Sequence, residues 1–318
     1  MTANTARPVP AHHMGLLSSL NQYNARSLVS GQAPAASVIV RTRNSAKSLP
    51  ACLESIKQQT IVPEIIVVDS GSTDGSLEVA YEFADALIEL PTGEFTYGRA
   101  LNRGAEVARA PVLFALSSHC FLPRLDWIER SLSYYGRPDV VGTNGQLWRP
   151  DGSALHDVLF LTAATPLSNP MWGFSNHASS WRADVWREDP FDEELGASED
   201  FEWSDRVIAR GFTIAFDPAL VVPAHHLRRQ GVCALYRRSR RELLGTAEFR
   251  DITPPTLRES LATWWPPPLG KVRYRHWLSP YRLAGVAGRY AAGRELARQA
   301  RLGQMRQVGQ GTIPPAHR

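Results

Sequence analysis

The sequence predicts an α/β protein built on a parallel, helix-flanked sheet, and three observations predict it. Ile65 to Val68 is a continuous apolar run, the pattern of a strand buried on both faces. It ends in Asp69 and small turn-forming residues, then gives way to a helical pattern from about Leu77 to Phe83. An earlier unit has the same form: a strand over Ala36 to Asn44 precedes a helix from about Leu49 to Gln59, with Leu49, Cys52, Leu53 and Ile56 on one face. Strand, helix and strand within about thirty residues make a right-handed crossover unit.

The remaining elements follow in order. Ala86 to Leu90 reads as a short strand, and Glu94 to Arg99 as a loop entering a helix that runs to about Ala108. Val112 to Leu116 is a second buried run, ending in Ser117, Ser118, His119 and Cys120. A helix from about Leu125 to Tyr134 presents Trp127, Ile128, Leu132 and Tyr135. Val140 to Trp148 reads as one strand, and residues 150–175 are rich in turns and aromatics without a clean period. Ser198 is placed to cap a helix ending near Arg210, with Gly211 as its stop. Pro254, Pro255 and Pro266 to Pro268 mark a break, and a helical tail is predicted from about Pro280, weakened by Gly285, Gly288 and Gly293. The expected organisation is a mobile extension over 1–34, a body over 35–250 and a basic helical tail over 251–318.

Composition narrows the class. The 318 residues are 43% hydrophobic and 21% charged, enough to bury one large core. No stretch is apolar for the length of a bilayer, and the opening residues lack a secretory leader pattern. Three scattered cysteines fit a reducing compartment, so a cytoplasmic location is expected. No Gly-rich dinucleotide fingerprint and no Walker-type loop follows either strand, which disfavours an oxidoreductase or a P-loop enzyme. From Pro255 onward, eleven Lys and Arg stand against Glu259 and Glu295. Such a tail suits an anionic membrane surface, with a solvated helix packed on the body or on a second subunit as the alternative. No nucleic-acid-binding motif is present, so nucleic acid is not expected as a partner, and the oligomeric state is not legible.

Five segments in order carry a family resemblance: the strand Ser37 to Asn44, the run Val67 to Gly75, Asn102 to Ala108, the pair Glu199 and Asp200, and Arg210 to Pro218. Over about residues 36–246 the chain resembles glycosyltransferase family 2, the inverting nucleotide-sugar transferases of GT-A fold. The resemblance implies a Rossmann-like nucleotide-binding mixed sheet flanked by helices. It also implies transfer from a nucleotide sugar to a saccharide or lipid-linked acceptor in surface polysaccharide or glycolipid synthesis; the basic tail adds the expectation of a peripheral place on the inner face of the membrane. A catalytically silent nucleotide-sugar-binding or scaffold protein of the same fold is the alternative.

The site expectations follow from that match. Asp69 lies at a strand end, where ligands of open α/β sheets sit, and in the family would meet a pyrimidine base, so a pyrimidine diphosphate donor is expected; read from its own sequence, Asp69 also suits a helix cap. Thr42, Arg43, Arg99 and Ser117 are its expected donor-side neighbours, with Arg99 reaching phosphate or pairing with Glu94. Asp200 matches the family's catalytic base, and Glu199 would position the loop or bind acceptor. The family's Asp-x-Asp is replaced by Ser117, Ser118 and His119, which removes two carboxylates. His119 with His225 or His226 would make a nitrogen-rich site favouring manganese over magnesium. His119 donating to the β-phosphate without metal, or satisfied by a backbone carbonyl, are the rival readings. Helical spacing sets Arg237 and Arg241 on one side and Arg238 on another, so the three are not expected to face the donor together. Trp172, Asn176 and His177 are the acceptor candidates.

Overall fold

A computed structural model of the chain describes residues 33–222, 231–262 and 280–309. Its centre is an eight-stranded mixed sheet in the order β3-β2-β1-β4-β7-β5-β8-β6. The strands are β1 (Ser37–Thr42), β2 (Glu64–Asp69), β3 (Ala86–Glu89), β4 (Val112–Ser117), β5 (Val140–Asn144), β6 (Leu159–Leu161), β7 (Ala178–Arg182) and β8 (Thr213–Phe216). The first four are mutually parallel, as their unbroken apolar runs require. β7 lies antiparallel between β4 and β5, so its entry lies at the same sheet edge as the exits of β1, β4 and β5.

Helices cover both faces. α1 (Leu49–Lys57), α2 (Ser76–Phe83) and α4 (Trp127–Ser133) meet Val38, Val40, Val67 and Phe114 on one face. α3 (Tyr97–Val107), α5 (Ala183–Glu188) and α6 (Glu199–Ala209) meet Ile39, Ile66 and Leu113 on the other, with Trp181 and Trp203 fully buried there. The alternation of β1 therefore sends Ile39 and Arg41 toward α3 and α6, and Val40 and Thr42 toward α1. α3 reaches the sheet closely because a side chain on Gly104 would run into Ile39.

α7 (Val232–Thr246), α8 (Leu257–Ala262) and α9 (Pro280–Gly309) follow. α9 lies along α7: Gly288 closes onto the Tyr236 carbonyl and the Arg240 amide, Gly293 meets Pro255, and Arg240 pairs with Glu295. The glycines that weakened the helix prediction are thus the contact points that let the helices approach.

Four expectations are corrected. The strand predicted over Val140 to Trp148 stops at Asn144, because Gly145 is pressed against the backbone of Leu220 and Val221. The stretch 150–175 contains the edge strand β6. Residues 178–182, which the sequence reading gave no strand, lie inside the sheet as β7, directly after the acceptor candidates Asn176 and His177. Ser198 does not cap α6; it adopts φ 68°, and its hydroxyl donates to the Glu242 carbonyl (3.3 Å) and accepts from Thr246 (2.9 Å). It ties α6 to α7 instead.

Candidate active site

The convergent strand ends open into a cleft of about 770 Å³, within the range of small-molecule sites. β1 contributes Arg41, β4 contributes Ser117 and His119, and the approach to β7 contributes His177. The first turn of α6 places Glu199 and Asp200 on its wall, α3 begins there with Tyr97, and α7 closes it with Arg237, Arg238 and Arg241.

The acid pair is held tightly. Asp200 accepts from the backbone N–H of Asn176 (2.9 Å) and of Phe201 (2.9 Å), one on each carboxylate oxygen. Glu199 is 4% exposed, and the Arg41 guanidinium stands 3.6 Å from its carboxylate. The helix dipole favours the ionised forms, but burial wins. Burial and then the Asp200 charge push Glu199 above the usual carboxylate range, against the pull of Arg41. Burial pushes Asp200 up as well, against its two N–H donors and Arg41.

Arg41 was not singled out as a site residue in the sequence, yet it lines the cleft beside the acid pair. It donates to the Asn176 carbonyl (2.7 Å), and its guanidinium lies 5.4 Å from the centroid of the Tyr97 ring. Period-two alternation from Ile39 was the signal that could have found it. Thr42 and Arg43 were named instead; Thr42 faces the opposite core, and Arg43 is exposed beyond the strand.

Asp69 is 1% exposed at the end of β2 and is engaged by its own loop. One oxygen accepts from the N–H groups of Gly71 (2.9 Å) and Ser72 (2.8 Å), the other from the Ser72 hydroxyl (2.5 Å). Arg99 pairs with Glu193 at 2.8 Å and reaches only the backbone carbonyl of Glu94 (2.9 Å), away from the cleft lining.

On the acceptor side, Trp172 is buried against Phe216, with ring centroids 4.4 Å apart, and donates to the Trp148 carbonyl (2.7 Å) while still lining the cleft. Asn176 is buried behind the lining, where its side-chain carbonyl accepts from Ser179 (2.9 Å). His177 lies in the wall, its pKa lowered chiefly by burial, so its imidazole is neutral near pH 7. Arg250, a residue the sequence did not mark, holds the loop before it: it forks onto Asp205 and donates to the carbonyls of Pro170 and Trp172.

The arginine expectation is corrected. Arg237, Arg238 and Arg241 all line the cleft. At about 100° per residue they span only about a quarter-turn of α7, which long side chains bridge easily. The metal expectation turns on His225 and His226 as well as His119. Among the described residues no group of three or more His, Cys, Asp or Glu could hold an ion, and His225 and His226 lie outside those residues.

Residues 37–181 match the model of the family described as glycosyl transferase family 2. Glycosyltransferase AglE of Haloferax volcanii is 28% identical over 196 residues, which cover 58% of this chain and 64% of AglE. A PGL/p-HBAD biosynthesis glycosyltransferase of Mycobacterium tuberculosis is 38% identical over 110 residues, covering 33% of this chain and 43% of that protein. The O-antigen chain rhamnosyltransferase RfbN of Salmonella typhimurium is 26% identical over 206 residues, covering 59% and 66%. The chain thus spans less than two thirds of the length of these curated relatives. Among solved structures, mannosyltransferase PcManGT from Pyrobaculum calidifontis, in complex with GDP-Man and Mn2+, superposes with a TM-score of 0.53 at 18% identity, covering 89% of this chain and 78% of that one. S. aureus TarS 1-349 in complex with UDP gives 0.51 at 16% identity, covering 83% and 91%. These likenesses show a shared GT-A fold.

Proposed function

We propose, on the premise that residues 37–181 belong to glycosyltransferase family 2, that this chain transfers a sugar from a nucleotide-sugar donor to a hydroxyl of a saccharide or glycolipid acceptor, with inversion. One observation carries the reading: Asp200, fixed by two backbone N–H donors, lies in the wall of a donor-sized cleft beside the ends of β1 and β4. Its chemistry is that of a general base. The acceptor oxygen attacks the anomeric carbon, the bond from that carbon to the β-phosphate oxygen breaks with its electron pair left on the phosphate, and the acceptor proton passes to Asp200. Attack from the face opposite the departing diphosphate inverts the configuration. Burial raises the proton affinity of Asp200, which suits a group that must take a proton.

Glu199 and Arg41 serve this carboxylate. Arg41 partly offsets the burial that raises the proton affinity of the acid pair, and Glu199 holds Arg41 in the wall. His177 and Trp172 border the space left for acceptor, one offering a neutral imidazole and the other an apolar ring. The donor nucleotide is assigned to the strand-end side near Ser117 and His119; because Asp69 is occupied by its own loop, the base is left to a panel of uridine, deoxythymidine and guanosine sugars.

Transfer assayed with that panel tests the reading. Wild-type protein should turn over at least one donor, and Asp200→Asn should lower that turnover by about 10² to 10⁴ with donor affinity little changed. A variant with near-normal turnover would remove Asp200 as the base. Nucleotide binding without turnover of any donor would favour the silent binding protein.

A further inference from the structure

We propose that Arg237, Arg238 and Arg241 of α7, together with Arg41 of β1, form a two-sided guanidinium clamp for the diphosphate of the donor, in the role that Asp-x-Asp and its cation would fill. The inference rests on the donor reading above. Four observations carry it, and none depends on the identity of the sugar.

The first is Arg41. Its side chain is 10% exposed, and its Nε and Nη1 groups have no hydrogen-bond partner among the described residues although both are buried. The 3.6 Å approach to Glu199 is too long for a hydrogen bond. A buried cation with unspent donors is costly unless an acceptor arrives. A phosphate oxygen in the cleft supplies one.

The second is the ring of Tyr97. Arg41 and Arg241 each lie 5.4 Å from its centroid, and Arg241 donates to its hydroxyl at 3.0 Å. The ring holds both cations by cation–π attraction. It also brings like charges together, an arrangement that an anion between them relieves.

The third is where the charges act. Burial pushes the Cys120 thiol up and the His177 imidazole down, and at both groups, beside the exit of β4 and the entry of β7, the smaller charge effects come from Arg41 and Arg238. Arg41 comes from the sheet and Arg238 from the helix, so positive charge reaches the Ser117 to His119 corner from two directions.

The fourth is the balance of partners. Arg238 is paired with Glu242 at 2.6 Å, but Arg237 and Arg241 make no ion pair with a carboxylate among the described residues. The clamp therefore retains cationic charge facing a cleft of about 770 Å³. Guanidinium forks match phosphate oxygens two at a time, which a single ammonium cannot do. When the glycosidic bond to phosphate breaks, its electron pair stays on the β-phosphate oxygen and the leaving group gains one negative charge. A preformed set of guanidiniums stabilises that gain without moving.

Titration calorimetry on the full chain tests the clamp, using UDP, GDP and dTDP with the matching monophosphates, in chelator and then with added manganese. A diphosphate should bind in chelator and more tightly than its monophosphate. Arg237→Gln and Arg241→Gln should each weaken the diphosphate by about ten-fold and shrink its advantage over the monophosphate. Arg237 is exposed, so its loss leaves the fold intact, and thermal melting of each variant checks this. Unchanged diphosphate affinity in both variants, or binding that requires manganese, overturns the clamp while leaving the donor reading standing. Failure of the wild-type chain to bind any of these nucleotides overturns the donor reading and the clamp together.

Discussion

Replacing Arg250 by alanine tests whether the acceptor wall is held from outside the cleft. The guanidinium is 9% exposed and makes a bidentate pair with Asp205 of α6, both contacts at 2.7 Å. Its remaining nitrogen donates to Pro170 (2.6 Å) and Trp172 (3.0 Å), and its plane lies 4.9 Å from the Phe201 ring. Removal leaves Asp205 without its fork and two carbonyls without donors. Breaking a buried pair costs about 3–5 kcal/mol. Asp205 is 34% exposed and regains water, so the loss should fall near the lower end, about 3 kcal/mol with both carbonyl bonds included. For a chain of this size that lowers Tm by roughly 4–6 °C. The loop over 170–173 should loosen beside Asp200, raising the acceptor KM more than it lowers kcat. Arg250→Lys keeps the charge but not the fork and should recover only part of both losses. Urea unfolding and acceptor kinetics read the two effects. A loss under about 1 kcal/mol with unchanged KM would refute the reasoning.

The acid pair predicts a pH response whose sign follows from burial. Asp200 must be ionised to act, and its proton affinity is raised, so kcat/KM should fall on acidification through a limb above the ordinary carboxylate range; Arg41→Met should move that limb to higher pH, and a limb at about pH 4 in both proteins would contradict it. The same raised affinities make the folded state bind more protons than the unfolded chain, so the pair's contribution to stability should decline as pH rises from about 4 through the folded values, as denaturation at several pH values would show. α9 should have two separable faces: Gly288→Leu should drive it off α7 and weaken nucleoside diphosphate binding, because α7 carries the cleft arginines. Arg294, Arg298 and Arg301 share the exposed face, and reversing their charges should abolish sedimentation with anionic vesicles at low salt while leaving nucleotide binding unaltered. Wild-type chain that fails to sediment would end the membrane reading.

Much of the parallel half of the sheet was legible because buried strands write themselves as apolar runs: β1, β2 and β4 stand within a residue or two of their expected positions. β7 was not legible. Its sequence, Ala178 to Arg182, carries two serines that are fully buried, and it reads as polar loop. One of these, Ser180, shares a set of hydroxyls with Ser131, Thr143 and Tyr135, at 2.7–2.8 Å, and that pairing across α4, the turn after it, β5 and β7 is what makes a polar strand stable in the interior. No local pattern announces partners that lie 37 to 49 residues away.

The site divided in the same way. Asp200 and His119 were named from their place in a motif, and both line one cleft. Arg41, Tyr97 and Arg250 were missed because each acts through contacts made only in the fold. Arg41 reaches Asn176, 135 residues away, and Arg241 reaches Tyr97 across 144. The positive side of the cleft is therefore assembled from a strand, the start of one helix and the face of another, brought together by Ser198 joining α6 to α7 and by α9 backing α7. The end of β4 runs into Ser117, Ser118 and His119, none of them acidic, while four guanidiniums line the cleft that it borders. Cationic charge with few carboxylates beside it is what the proposed clamp requires if it is to hold a diphosphate directly.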